Sequence, residues 1–504
     1  IMSAASLFML FAVGVVLVLA LRIVYCLRFH PLSRFHGPWY AASSSLVMAI
    51  VSWRRREPEW LLGLAKKYGR HAPIRIAPSL LLFPNSSALK DIYKDPDLNV
   101  RSRIVYSTGM TGPVSLSSTL DAEEHRELRK ALGGPQWSIG ALKKVWEARI
   151  DELITLFTGK ATLAAMSGRE VVLSDKCAEF AADVMTVVSF SEPWGFVKND
   201  RDEKHILESW RKSLDVWGFV GRFGWLRENV FKSSLSVYLL PKTDDDDGMG
   251  YLRGLADRLV TERERQIEEE RFSQDKPDIL QYTLEARSNG EPLSPVQKRA
   301  HMTLVIQAGA DTTGTGLGNT LRFLLTHPSC LEKARAEISA AEAAGYLSCP
   351  IQYEETRAHL PYFVACIKES LRVNPPAPQV LPRVVGSKGA TISGVFVPGG
   401  TDVMCHASVV QRDPELYGPD PEAFRPERWL ESERQSATFD ASSMVFGLGP
   451  RVCLGRDIAL MEMHKLLPEI VRRFDIELLD EGKVVVAGGV AYNQGLVVKF
   501  RLRE

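Results

Sequence analysis

Neither sign of charge dominates this chain: 62 Lys and Arg stand against 61 Asp and Glu in 504 residues, a formal net charge of +1. That balance removes the electrostatic basis for binding nucleic acid. Cysteine is scarce. Its seven positions, 26, 177, 330, 349, 366, 405 and 453, include no C-x-x-C pair. A disulfide framework and a structural zinc site are therefore not expected, and most of these thiols are predicted to be reduced core residues. The 28 Pro and 37 Gly are too few for a collagen-like or disordered chain. There is no internal repeat and no low-complexity linker. The signatures G-x-S-x-G and H-E-x-x-H are also missing, and with them the nucleophile-elbow and zinc-protease centres they mark. An apolar content of 45% is enough for a large folded core.

Residues 1–21 carry no charge, and at about 1.5 Å per residue such a helix reaches across the roughly 30 Å core of a bilayer. No Lys or Arg precedes the run, as a cleaved signal would require, so a retained anchor is expected over residues 1–27. Arg22, Arg28 and Arg34 follow it, which by the positive-inside rule leaves the rest of the chain on the cytoplasmic side. Pro31, Gly37 and Pro38 mark a connector over residues 28–40. The remainder, 41–504, reads as a single large domain, mainly α with minor β sheets. Short apolar runs at 74–76 and 80–83 predict a strand hairpin. Helical spacing dominates the middle, as at 251–271 and 331–341. Prolines, glycines and β-branched residues predict further strands within 377–404 and 484–501. Asp244 to Asp247 read as a solvated loop, because they lack the alternating oxygen ligands of a calcium loop.

Near the C-terminus stands Phe446-Gly-Leu-Gly449-Pro-Arg451-Val-Cys453-Leu-Gly455. This F-x-x-G-x-R-x-C-x-G pattern resembles the haem-binding loop of the cytochromes P450, the haem-thiolate monooxygenases, and chance would produce it in a chain of this length about once in 10⁴. The resemblance implies the cytochrome P450 fold, haem b as cofactor, and Cys453 as its axial iron ligand. A thiolate in this role must be ionised and shielded. Gly449 and Gly455 would let backbone N–H groups approach the sulfur, and the helix after Gly455 would favour its negative charge. Arg451 is expected to pair with a haem propionate.

Upstream, Ala308-Gly309-Ala310-Asp311-Thr312-Thr313 lies within an apolar helical stretch over 301–325 and resembles the family's oxygen-activation motif. By that resemblance Gly309 leaves room for dioxygen, while Asp311 and Thr312 relay protons. Gly314, Gly316 and Gly318 should each weaken the helix by up to about 1 kcal/mol, and local flexibility is expected there. Glu369-Ser-Leu-Arg372 matches the family's E-x-x-R. The spacing alone is uninformative, since it recurs at Glu123 with Arg126 and at Glu262 with Arg265. Its context is Asn374-Pro375-Pro376 and Pro426-Glu427-Arg428-Trp429, and the resemblance implies a buried structural triad of Glu369, Arg372 and Arg428. Arg383, Arg129 and His125 are further candidates for the propionates, with His125 where many members carry Trp.

A single anchor without a fused flavin or ferredoxin segment looks like a microsomal member, on the endoplasmic reticulum membrane, that takes electrons from a separate NADPH-dependent flavoprotein reductase. Arg126, Arg129, Lys130 and Arg456 are candidates for its docking face. The implied activity is hydroxylation, epoxidation or oxidative coupling of a hydrophobic small molecule with O2. The style of the sequence is similar to filamentous-fungal members of specialised metabolism, with a terpenoid, polyketide or alkaloid as substrate. By the resemblance a pocket is expected from 103–120, the helices flanking 218–224, the central helix near Val305, 377–381 and the tail turn near Tyr492. The alternatives are a reductase-independent haem-thiolate isomerase or dehydratase, against which the intact Asp311 and Thr312 argue, and a non-enzymatic haem-binding protein.

Overall fold

The computed structural model describes residues 4–95, 98, 100–102, 115–231, 233–271 and 277–503. The part of the expected pocket at 103–114 lies outside the described residues. An apolar helix over Ala4–Val24 runs into a π-helical turn over Tyr25–Phe29. The span Phe8–Phe29 is long and apolar enough to cross a membrane. Its side chains stay exposed, Phe8 by 72% and Phe11 by 71%, as expected of a segment whose apolar surface has no protein partner. At its end the Cys26 carbonyl accepts a hydrogen bond of 2.7 Å from Arg75 Nη1. Gly37 lies so close to Arg75 that a Cβ there would stand 2.1 Å from the Arg75 carbonyl oxygen. The connector is thus laid tightly against the domain.

The domain is mainly helical around one central helix, Pro295–Thr326. Ser294 and Gln297 form a capping box at its start, with Pro295 in the first turn, so the orphan N–H groups are satisfied and φ is preset. Beside it the helix Leu173–Phe190 is buried on nearly every side, hence its lack of a polar face. The two approach closely because Gly314 has no side chain: a Cβ would stand 2.6 Å from Ala178 Cα. Gly316 faces Met463 and Gly318 faces Asn493 in the same way, at 3.2 and 2.6 Å. The expected flexibility of this stretch is therefore corrected. These glycines are buried packing positions, where enclosure removes the freedom that glycine gives an exposed helix.

The predicted hairpin forms as Ile74–Ala77 and Leu80–Leu82. It extends into a four-stranded sheet through Asp402–Met404 and Arg383–Val384. The tail forms Phe474–Asp480, Lys483–Ala487, Val490–Gln494 and Val497–Leu502, beginning ten residues earlier than expected because the strand leaves directly from the helix Arg456–Arg473. The helices expected at 251–271 and 331–341 occupy Gly248–Glu268 and Pro328–Ala343. Asp244 to Asp247 form the turn before the first of these. Five of the six non-motif cysteines are buried, but Cys349 is exposed, which corrects its assignment to the core: it follows a surface turn where Arg473 Nη2 reaches its sulfur at 3.0 Å.

Candidate active site

Cys453 sits at the end of a loop whose shape depends on two left-handed glycines, Gly447 (φ +72°) and Gly449 (φ +68°). The Cys453 N–H donates to the Phe446 carbonyl at 2.8 Å, and the helix Arg456–Arg473 begins three residues on. Gly449 does not open a path to the sulfur. A Cβ there would lie 1.9 Å from the Tyr93 carbonyl oxygen, so this glycine admits the neighbouring backbone, a correction to its expected role. Gly455 does lie beside the sulfur, with its would-be Cβ 4.0 Å from Sγ. Burial pushes the Cys453 thiol above its ordinary value, while the Gly455 and Arg456 N–H groups and the charges of Arg129 and Arg456 pull it down. The side chain is accessible only because Cys453 opens onto a cavity of about 330 Å³.

A second wall of that cavity is the central helix, which contributes Ala308, Gly309, Thr312, Thr313 and Gly316. Thr312 Oγ1 donates to the Ala308 carbonyl at 2.6 Å, the back-bond that satisfies a hydroxyl in a helix. The missing side chain of Gly309 points at Met185, whose Cγ would stand 2.3 Å from a Cβ. Its smallness therefore serves the helix crossing, while the residue also lines the cavity. Asp311 is turned away from the cavity. It is 1% exposed and accepts from Arg211 Nη2 at 2.7 Å and Nε at 3.0 Å. Burial raises its carboxyl above the usual range against the opposing pull of Arg211. Arg211 also reaches Asp175 at 3.3 Å, a carboxylate 48% exposed. Arg211 lies 100 residues away in sequence from Asp311, and no local pattern announced it.

One end of the cavity is basic. Arg101, His125, Arg129 and Arg451 line it, and Arg383 lies beside them through a strand bridge to Arg101. Arg451 donates to the carbonyls of Thr119 and Asp121 at 3.0 and 3.2 Å. Arg129 Nη1 bonds the Val452 carbonyl, and the Arg383 guanidinium lies 5.0 Å from the Tyr93 ring centre. His125 is buried, and its Nδ1 has no hydrogen-bond partner among the described residues. Burial, followed by Arg451, Arg101, Arg129 and Arg383, lowers its pKa to about 3. A buried ring among four guanidinium groups calls for an anion. Arg101 was missed from sequence, where nothing but its type distinguishes it. Arg129 faces this cavity and so is corrected as a docking residue, whereas Arg126, Lys130 and Arg456 are exposed.

On the other side of the helix Pro361–Val373, Glu369, Arg372 and Arg428 meet as a buried cluster. Glu369 accepts from Arg372 Nε and Nη2 and from Arg428 Nε, all at 2.8 Å, and from Trp429 Nε1 at 2.9 Å. Arg372 and Arg428 spend their remaining donors on the carbonyls of Gln411, Pro421 and Tyr417, at 2.6 to 2.7 Å. Burial pushes the Glu369 carboxyl up, but the two arginines outweigh it and hold it below its usual range.

The cytochrome P450 family pattern matches residues 53–487. The chain belongs to the cytochrome P450 family. It is similar to cytochrome P450 monooxygenase gsfF of Penicillium aethiopicum, 29% identical over 95% of both chains. It is 30% identical to cytochrome P450 monooxygenase ABA1 of Pyricularia oryzae, over 90% of this chain and 89% of that one. A third relative, cytochrome P450 monooxygenase hepC of Aspergillus oryzae, is 30% identical over 89% and 88%. This P450 is accordingly an oxygen-incorporating oxidoreductase of the haem-thiolate class, and the isomerase and carrier alternatives are not favoured. The family's haem fits the residues present. Its two carboxylates match a basic end that leaves His125 Nδ1 without a partner, and its iron matches the soft sulfur donor of Cys453. The rest of the pocket is mostly apolar. Trp210, on the helix Ile206–Val220 that leads into 218–224, lines it as expected, whereas Gly218 itself packs against Ser52 and Gly488. The tail contributes Val490, two residues from Tyr492 on the strand Val490–Gln494.

Proposed function

We propose that this P450 is a single-pass protein of the endoplasmic reticulum membrane, its catalytic domain on the cytoplasmic face. It holds haem b through Cys453 and oxidises an apolar small molecule of filamentous-fungal specialised metabolism by hydroxylation, epoxidation or oxidative coupling. Electrons come from an NADPH-dependent flavoprotein reductase. The observation that carries the reading is the convergence, on one apolar cavity, of Cys453, the Thr312 wall and the basic end around His125.

Bound haem would activate dioxygen with two electrons and two protons, the electron-rich thiolate favouring O–O cleavage. This chain's residues do the rest. Cys453 gives up its proton on ligation, and the Gly455 N–H and the helix N-terminus hold the resulting charge. Arg101, Arg129, Arg451 and His125 bind the propionates and set the orientation of the ring. Asp311, positioned by Arg211 with the half-exposed Asp175 beyond it, serves the proton supply to Thr312 Oγ1. The apolar wall excludes water and orients substrate by shape.

The test is the carbon monoxide difference spectrum of dithionite-reduced protein beside Cys453→Ser. A strongly red-shifted Soret band in the parent, lost in the variant, is expected. A band typical of histidine-ligated haem, or no haem in freshly prepared protein, overturns the reading.

A further inference from the structure

His301 begins the cavity-lining stripe of the central helix. Eleven residues separate it from Thr312, three turns to within about 20°, so the two share one face about 16 Å apart along the axis. Val305 and Ala308, which lie between them on that face, line the same cavity. His301 is 2% exposed, and its ring forms part of the cavity wall. Neither Nδ1 nor Nε2 has a hydrogen-bond partner among the described residues. Burial alone lowers its pKa, to about 4, with no charged group contributing. The indole Nε1 of Trp210, another cavity-lining residue, is likewise buried without an acceptor.

An imidazole buried with neither nitrogen bonded is costly. The fold offers no compensation, since a phenyl ring would occupy the same space without the penalty. The cost is explained if a ligand in the cavity completes the bonding. A neutral imidazole presents one donor and one acceptor, and the indole one donor. Their complement is a neutral oxygen function. A carboxylate is disfavoured here, because no cation among the described residues contributes at His301 to share its charge.

Resting on the function proposed above, we propose that the substrate is an elongated, neutral, apolar molecule that already carries a hydroxyl or carbonyl oxygen. That oxygen bonds to His301 at the end of the pocket three turns from Thr312, with Trp210 as a second donor. The oxidised carbon therefore lies far along the frame from the existing oxygen, and a step that installs oxygen must precede this enzyme.

The test uses full-length, haem-loaded protein and a rigid ruler: 5α-androstane with its 3-hydroxy and 3-keto derivatives, titrated by the change in the Soret spectrum. The parent is expected to bind the oxygenated members at least about tenfold more tightly than the hydrocarbon, the size of one well-made buried hydrogen bond. His301→Phe is expected to lose that preference, keep hydrocarbon binding, and melt no lower than the parent, because no protein contact is lost. Trp210→Phe should lose part of the preference. An unchanged preference in His301→Phe overturns the proposal, as does a lowered melting temperature with binding unaltered, which marks a structural histidine. It is equally overturned if the parent binds none of the three while its reduced carbon monoxide band is intact. Absence of that band instead sinks the haem-thiolate reading on which the proposal stands.

Discussion

Among the buried charged clusters of this domain, those at Glu369 and His125 differ in how far the protein completes them. At Glu369 the carboxylate meets two guanidinium groups and an indole N–H, and the spare donors reach backbone carbonyls. At His125 burial and four guanidinium groups bear on a ring whose Nδ1 has no partner among the described residues. A cluster finished by the protein holds the fold together. One whose buried ring nitrogen has no partner among the described residues suits a ligand that completes it. The pair at Asp311 and Arg211 falls between the two: one carboxylate oxygen is bonded and Oδ2 is left without a partner.

The largest effect is expected where completion is greatest. Glu369→Ala leaves Arg372 and Arg428 buried without their counter-charge, at a cost of about 3 to 5 kcal/mol, read as a fall in melting temperature with loss of bound haem. Because the Glu369 carboxyl is held low, its contribution is present above the usual carboxylate range and is lost only as pH falls through the lowered folded value. A variant with parental stability would erase the distinction between the clusters. Next comes Arg211→Gln, which strips Asp311 of its one partner. Oxygen reduction should be diverted to peroxide by roughly tenfold or more, within the range of a lost general acid. Peroxide release measured against reductant consumed checks this, and an unaltered ratio removes Arg211 from the proton route.

The smallest effect on the fold is expected at the incomplete cluster. His125→Phe discards no protein hydrogen bond at Nδ1, so haem-free protein should be at least as stable as the parent while haem is released several-fold faster. Acid titration sharpens the contrast. With a folded pKa of about 3 against an ordinary 6.5, the unfolded chain takes up a proton that the fold refuses. Stability is therefore full above the ordinary value and falls as pH drops from there towards 3. Denaturant midpoints of the haem-free proteins over that window should fall less steeply in His125→Phe.

Much of the site was legible because its chemistry is written in short segments. Cys453 and its glycines, Asp311 with Thr312, and Glu369 with Arg372 each lie within one turn or loop, where backbone geometry ties residue type to position. Legibility failed where the reason for a residue lay in a distant neighbour. Gly309 lines the cavity, but its lack of a side chain also makes room for Met185. Gly314 was read as a source of flexibility and is where the helix Leu173–Phe190 crosses. Arg129 was read partly as surface charge and lines the cavity.

The amino-acid sequence by itself determined the family, the cysteine motif that marks the candidate haem ligand, an N-terminal helix apolar and long enough to cross a membrane, and a mainly helical domain with minor sheets, because these follow from local spacing and from runs of one chemical kind. Only the tertiary structure decided that Arg101 joins His125, Arg129 and Arg451, that Arg211 holds Asp311, and that His301 stands in the pocket wall without a partner. Those are contacts between segments up to several hundred residues apart. They are set by how helices and strands pack around one core, and packing depends on the whole surface each element presents to its neighbours.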